Sequence, residues 1–454
     1  MPTRDLYLFA HLADGFVPAG RLTLTETPRE VTASSFAYGT RYLRRAGRFE
    51  IDPVSLALAN LAEGVELFPS NGLKQFGGIR DAAPDSWGRR IIEAQRRVPA
   101  NSLLESEYLL AAGSDRVGAL DVRTSLTADE GHGVSPERSL VYLLEATERF
   151  EAGEPLPARL SELFGSGPTA GGARPKATVR DEDGLLWLAK FPSRTDPFDV
   201  TRTEWATLKL AARCGLTVPA VRIVEFGDKP VMLIRRFDRY WAASTQPAPA
   251  SNLHETLPGE GRREYRLPFV SGLTLIACDE MDSPTKGYAD LAHAIRTYAH
   301  VSVIRQNNRE LFARMVFNIM VSNDDDHLRN HGFIRDPRLS GWCLSPLYDV
   351  VPRPGVAYER QLHLSVGEQG RYASLDNAIT SRAAFSLERP EAIAVIAQVV
   401  RGVTGWRDFF ETLNLKPQLL DQISSAFRGL AQVASSELLD ELSAVDFTTS
   451  LRET

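Results

Sequence analysis

Residues Asn323 to Ile334 read NDDDHLRNHGFI, and after a short turn Trp342 to Val350 read WCLSPLYDV. Three consecutive carboxylates, a histidine and an asparagine share one short segment, and a further aspartate, Asp349, follows the turn. Magnesium is a hard cation that takes oxygen ligands, and proteins hold it with one or two side chains while phosphates and waters complete the octahedron. One side-chain amide and one returning aspartate therefore suffice, and the segment has the donors of a magnesium-dependent phosphoryl-transfer site. The same run, Asp324-Asp325-Asp326, also suits a solvated loop or a helix cap, and a zinc site around His327 is a weaker reading.

The flanking pattern says how such ligands meet. Leu311, Phe312, Met315, Val316, Ile319 and Met320 recur at helical spacing, which predicts a buried helix over Glu310–Val321 with Asn308 as its N-cap. Gly332–Arg335 and Trp342–Leu344 read as strands joined through Asp336, Pro337 and Gly341. Such a hairpin brings the chain back beside its start, so Asp349 can approach Asn330.

Upstream, Gly165 to Lys176 read GSGPTAGGARPK, a loop whose glycines let backbone amides approach phosphate oxygens. Its spacing matches neither the Walker pattern nor the glycine pattern of eukaryotic kinases, so an ordinary surface loop remains open. Ala177–Arg180, the turn Asp181-Glu182-Asp183-Gly184 and Leu185–Lys190 predict a hairpin. Lys190 closes the apolar run LLWLAK, either snorkelling at the strand end or reaching nucleotide phosphates. The next helix is expected over Arg202–Cys214 with Gly215 as its stop. Glu204, three residues after Thr201, favours a capping box there over an ion pair with Lys190. Pro230–Arg235 reads as a strand running into Arg236-Phe237-Asp238-Arg239, where a kinase hinge would offer backbone groups to adenine.

In chain order, FGGIRDAAPDSWGRRII (Phe76 to Ile92), GGARPKA, LAKFPS, MLIRRFDR, NDDDHLRNHGF and LSPLYDVVP resemble the HipA family of bacterial serine/threonine kinases, the toxins of type II toxin-antitoxin systems. The resemblance implies an α+β, bilobal protein-kinase-like fold, with an N-terminal mixed α/β subdomain and a mostly helical C-terminal lobe. It implies ATP and Mg2+ as cofactors. Asp325, five residues before Asn330, falls at the family's catalytic base, and Asn330 and Asp349 fall at its magnesium ligands. Gly171, Gly172, Ala173, Arg174, Pro175 and Lys176 would form the phosphate loop, with Lys190 on the phosphates. Arg235, Arg236 and Phe237 would line the adenine pocket. His327, Leu328, Arg329 and Tyr348 would lie beside the nucleotide, and Asp326 would be supporting structure.

The family inactivates itself by phosphorylating a serine in its glycine-rich loop. Here Thr169 stands at the matching position and Ser166 is the alternative acceptor; a phosphate on either would repel those of ATP. The resemblance further implies a HipB-like helix-turn-helix antitoxin as partner, with DNA contacted mainly through it, and a protein substrate such as an aminoacyl-tRNA synthetase.

Composition fits that picture. The 454 residues suffice for two or three domains, and a net charge of -6 argues against broad direct nucleic-acid binding. Two arginine groups, Arg41, Arg44, Arg45 and Arg48, and Arg262, Arg263 and Arg266, read as solvated surface or local patches. Cys214, Cys278 and Cys343 lack paired spacing and read as buried thiols. With no secretory pattern over Met1–Ala10 and no apolar run of membrane-spanning length, a cytoplasmic location is expected.

The expected domains are 1–125, where short extended runs such as LYLFAHL and GRLTLTE alternate with turns before helices near Val54–Leu61 and Trp87–Arg97, a small lobe at 138–242, an insertion and connecting region at 243–288, and a helical lobe at 289–454. Ser125–Glu137 reads as a linker and Ala243–Arg263 as mobile. Leu291–Ile304, Pro390–Val403, Trp406–Asn414 and Pro417–Leu439 carry helical spacing. Competing readings are a nucleotide-binding pseudokinase or antitoxin-docking protein, and a metal-dependent phosphohydrolase.

Overall fold

The computed structural model describes residues 2–129, 135–154, 164, 172–243 and 252–445. The chain folds as two compact units, one of Met1–Asp196, Pro219–Asp279 and Gly332–Ser345, the other of Pro197–Val218, Glu280–His331 and Pro346–Thr454.

The first unit holds the sheets. Strands β1 (Thr3–Leu12), β2 (Gly15–Glu26), β3 (Val31–Tyr38) and β4 (Leu120–Arg123) form an antiparallel sheet in the order β3-β2-β1-β4. Alternation in LYLFAHL and GRLTLTE turns Leu6, Leu8, Leu22 and Leu24 into one core with Phe36 and Tyr38. A second sheet, ordered β5-β6-β7-β9-β8, uses β5 (Ser135–Pro136), β6 (Lys176–Arg180), β7 (Leu186–Lys190), β8 (Val221–Phe226) and β9 (Lys229–Arg235). Its core is Val179, Trp187, Ala189, Phe191 and Leu233, packed with Trp87 and Leu143. β10 (Arg239–Ala243) pairs with β11 (Arg262–Arg266), and β12 (Phe269–Ser271), β13 (Gly332–Asp336) and β14 (Gly341–Leu344) form a third antiparallel set.

A buried ionic knot ties the first unit together. Asp238 accepts from Arg236 Nε at 2.7 Å, Arg239 Nη1 at 2.7 Å and the Gly118 amide at 2.7 Å. Both arginines also donate to the Arg116 carbonyl. Burial alone would push the Asp238 carboxyl up, but the two guanidiniums outweigh it and hold it well below the usual range.

The second unit is built on the Ile304–Val321 helix, whose residues from Leu311 to Val321 are all buried. Tyr288–Tyr298 and Arg389–Val403 pack against it, and Val200–Arg213 packs on Arg389–Val403. Gln398 Nε2 donates to the Cys214 carbonyl at 2.9 Å. Gly215, at φ +84, stops the Val200–Arg213 helix as expected.

Both expected hairpins form: β6 pairs with β7, and β13 with β14. Other expectations need correction. The central helix starts at Ile304, and Asn308 lies buried inside it rather than capping it. The Thr201/Glu204 capping box does not form, because Asp199 is the N-cap and accepts from the Arg202 amide at 2.9 Å. Val54–Leu61 is not helical, since Asp52 Oδ1 takes the amides of Val54, Ser55 and Leu56 at 3.0, 2.7 and 3.2 Å. Leu291–Ile304 is instead a helix over Tyr288–Tyr298 followed by a 3-10 turn. Pro417–Leu439 breaks after Ile423, where the buried Arg428 donates to the carbonyls of Ala373, Tyr358 and Gln432.

Ser135 and Pro136, at the end of the expected linker, pair in parallel with β6. Residues 244–251 of the expected insertion lie outside the described residues, and its end is already β11. Cys214 and Cys278 are buried thiols outside any disulfide, and Cys343 is half-buried. Among the described residues, no helix is long and apolar enough to cross a membrane.

Candidate active site

In the second unit, the central helix ends where Ser322 turns left-handed at φ +52 and the Asn323 amide bonds back to Asn318 O at 3.0 Å. The three aspartates that follow have different surroundings. Asp324 and Asp325 are about half exposed, at 45% and 55%, while Asp326 is 1% exposed. Arg353 reaches both outer carboxylates, with Nε 2.9 Å from Asp324 and Nη2 3.4 Å from Asp325. His327 Nε2 stands 3.9 Å from the other Asp325 oxygen.

The backbone beneath Asp325 is fixed. Asn330 Nδ2 donates to the Asp325 carbonyl at 2.7 Å, so the amide nitrogen points inward and a cation would meet Oδ1. Asp349 adopts φ +57, a conformation that costs a non-glycine residue energy and persists only where its surroundings impose it. Tyr348 contributes to those surroundings by donating its hydroxyl to Arg329 O at 2.7 Å. An oriented amide oxygen and a constrained carboxylate are donors that suit magnesium.

Asp326 faces the opposite way. It accepts the Tyr288 hydroxyl at 2.6 Å and the His363 amide at 2.7 Å. Tyr288 in turn accepts from Asn318 Nδ2 at 2.9 Å, and Asn318 Oδ1 accepts from Asn323 Nδ2 at 3.1 Å. Burial pushes the Asp326 carboxyl up to about 7, against the lowering effect of these donors. Reading the sequence passed over His331, four residues after His327. It is buried edge-on to Tyr288, and burial followed by Arg314 lowers it to about 3. Among the described residues, no group of three His, Cys, Asp or Glu side chains is placed to hold a metal, and the zinc reading gains no such cluster.

In the first unit, Ser166, Thr169 and Gly171 lie outside the described residues. Gly172 adopts φ +92, which a residue with a side chain rarely takes. Ala173 is exposed, Arg174 pairs with Asp196, and Pro175 O accepts from the Phe191 amide at 3.0 Å. Lys176 is buried against Asp85 at 2.8 Å. Lys190 ends β7 half-buried, opposite Lys176 in the ladder.

The expected adenine-pocket residues are committed inside the first unit. Arg235 donates to the Thr256 carbonyl, Arg236 belongs to the Asp238 knot, and Phe237 packs beside Tyr240 and Leu267. The Arg235 and Arg236 amides donate to Ala220 O and Leu186 O, both at 2.9 Å. Of the two arginine groups, Arg44 pairs with Glu63 and Arg45 with Asp14, while Arg266 is largely buried.

The family model for the HipA-like C-terminal domain matches residues 169–406, more than half of the chain. The chain belongs to the HipA-like family. A curated relative, the serine/threonine-protein kinase toxin HipA of Shewanella oneidensis, is 24% identical over 170 residues, 37% of this chain and 37% of that protein. The chain thus matches little more than a third of that relative's length. Among solved structures, HipA in the Shewanella oneidensis complex of HipA, HipB and operator DNA aligns with a TM-score of 0.63 at 16% identity, covering 97% of this chain and all of that one. The fold is therefore the HipA fold, α+β and kinase-like, as expected from the sequence. The Helicobacter pylori proinflammatory kinase CtkA aligns at a TM-score of 0.37 and 13% identity over 60% of this chain and 89% of its own, too weak a likeness to bear on the argument.

Proposed function

We propose that this HipA-like chain is an ATP-dependent serine/threonine protein kinase and the toxin of a HipA/HipB-like pair. The observation that carries the reading is the link between Asp325 and Asn330. The carboxylate that would accept the substrate proton is half exposed, and its own backbone carbonyl is held by the side chain that would bind magnesium. Base and metal ligand are thereby set in one rigid turn, which suits a reaction whose catalysis is mostly positioning and charge stabilisation.

In this reading Asp325 orients the substrate hydroxyl and takes its proton as the oxygen attacks the terminal phosphate, whose bond to the bridging oxygen breaks to release ADP. Arg353 and His327 border that carboxylate. Asn330 Oδ1 and Asp349 would hold magnesium, which supplies charge neutralisation on the phosphates. Lys190 would contact the phosphates, and Thr169 or Ser166 would be the site of self-inactivation. A HipB-like partner is supported by the composition of the solved HipA complex. An aminoacyl-tRNA synthetase is the proposed class of substrate, with arrest of growth as the outcome.

Incubation with γ-labelled ATP and magnesium tests the reading. Label on protein serine or threonine is expected; release of free phosphate alone would make the chain a hydrolase, and unchanged ATP would make it a binding module.

A further inference from the structure

The stem of the glycine loop is fastened by the N-terminal segment that contains Asp85 and Trp87. Lys176 Nζ lies 2.8 Å from Asp85 Oδ2, with the two side chains only 2% and 6% exposed. The other Asp85 oxygen accepts the Gly88 amide at 2.7 Å and caps the Ser86–Arg96 helix, so the carboxylate is fixed at both ends. Trp87 Nε1 donates to the Lys176 carbonyl at 2.9 Å, which holds the backbone of the same residue.

The ammonium also reaches the loop itself. A Cβ added to Gly172 would sit 3.0 Å from Lys176 Nζ, so the lysine that Asp85 holds fills the space beside the Gly172 backbone. Lys176 and Lys190 are direct partners across the β6/β7 ladder, which puts both side chains on one face of the sheet. Like charges opposite one another repel, and Asp85 neutralises one of the two. The N-terminal segment thus takes up the Lys176 charge.

We propose that Lys176 is a positioning residue, anchored by Asp85 and Trp87 so that it supports the Gly172 backbone for ATP phosphates, and that it is not itself a phosphate ligand. This rests on the kinase reading for the identity of the ligand. If the ammonium bound phosphate, Asp85 would compete for it, and removing the Asp85 charge would leave ATP binding intact or improve it. If the ammonium is an anchor, removing either member of the pair releases the loop.

Asp85→Asn keeps an oxygen for the helix cap and removes the charge. Lys176→Met removes the ammonium, and the double variant removes both charges together, leaving none buried alone should a single variant fold poorly. Binding of a fluorescent ATP analogue with magnesium, steady-state KM and kcat, and amide hydrogen exchange over residues 172–180 are measured on the full chain. Each single variant is expected to weaken ATP binding by about tenfold, with the double variant no worse than the weaker single, as for two members of one coupled unit. The loss falls on KM for ATP with kcat retained, and exchange over 172–180 accelerates while that of the Ser86–Arg96 helix does not. Wild-type affinity in Asp85→Asn with loss in Lys176→Met would overturn the inference alone. A wild-type chain that binds no ATP would overturn the kinase reading with it.

Discussion

The glycine-loop stem of the first unit and the acidic segment of the second both look, in sequence, like clusters of charged ligands, but they use their charges differently. In the stem, Lys176 and Arg174 pair with Asp85 and Asp196, and farther along the same unit Arg236 is closed into the Asp238 knot. In the acidic segment, Asp324 and Asp325 stay half exposed while Asp326, the next residue, is buried. A charge in a motif therefore has two possible uses, as scaffold or as chemistry, and burial separates them. Buried ions held by several donors are scaffold, whose loss strands a partner in low dielectric. Half-exposed ions on a fixed backbone are available to a substrate.

The comparison breaks most visibly at Asp238. Asp238→Ala strands Arg236 and Arg239 in the interior and should lower unfolding free energy by about 3 to 5 kcal/mol, read as a fall in urea midpoint. A loss under about 1 kcal/mol would mean that the knot is solvated and not scaffold.

Asp326 tests the contrast within one turn. Its carboxyl is near 3.8 in the unfolded chain and about 7 when folded, so the neutral form is the one folding favours. Its contribution to stability is complete below about pH 4 and is lost as pH rises through 7. Asp326→Asn abolishes that titration. The melting temperature of wild type relative to Asp326→Asn should fall between pH 4 and pH 8 and level off above. A difference that does not move with pH would place Asp326 outside the buried network.

Arg353 gives the smallest effect. Its pairs with Asp324 and Asp325 are more than half exposed on the arginine side, and Arg353→Ala should change stability by about 0 to 1 kcal/mol in the same urea titration. A larger loss would move the outer carboxylates into the scaffold class.

These distinctions also mark what the sequence could and could not disclose. Alternation in β1 and β2 and apolar spacing in the central helix made those elements legible, because burial there follows period alone. The turn residues between β6 and β7 and between β13 and β14 made the hairpins legible for a similar local reason. Val54–Leu61 misled because Asp52 captures amides that a helix needs, a local competition that apolar spacing does not report.

Within the candidate site, the family resemblance singled out Asp325 and Asn330, but the hydrogen bond that joins them was not legible in the motif. Only the family resemblance set Asp326 apart, as supporting structure; the partners that bury it, Tyr288 and His363, lie far away in sequence. Lys176 was obscured likewise, since the carboxylate that takes its charge sits 91 residues upstream. Long-range burial decides the use of a charge, and it is the property least visible in a linear motif.

The central claim, that Asp325 is the base of a phosphoryl transfer, is tested most directly by single-turnover transfer from γ-labelled ATP in wild type and Asp325→Asn, with melting temperature measured alongside. The account predicts that Asp325→Asn loses transfer by about 100- to 10,000-fold while the melting temperature stays near that of wild type, because the side chain is half exposed. Transfer at wild-type rate by Asp325→Asn would contradict it.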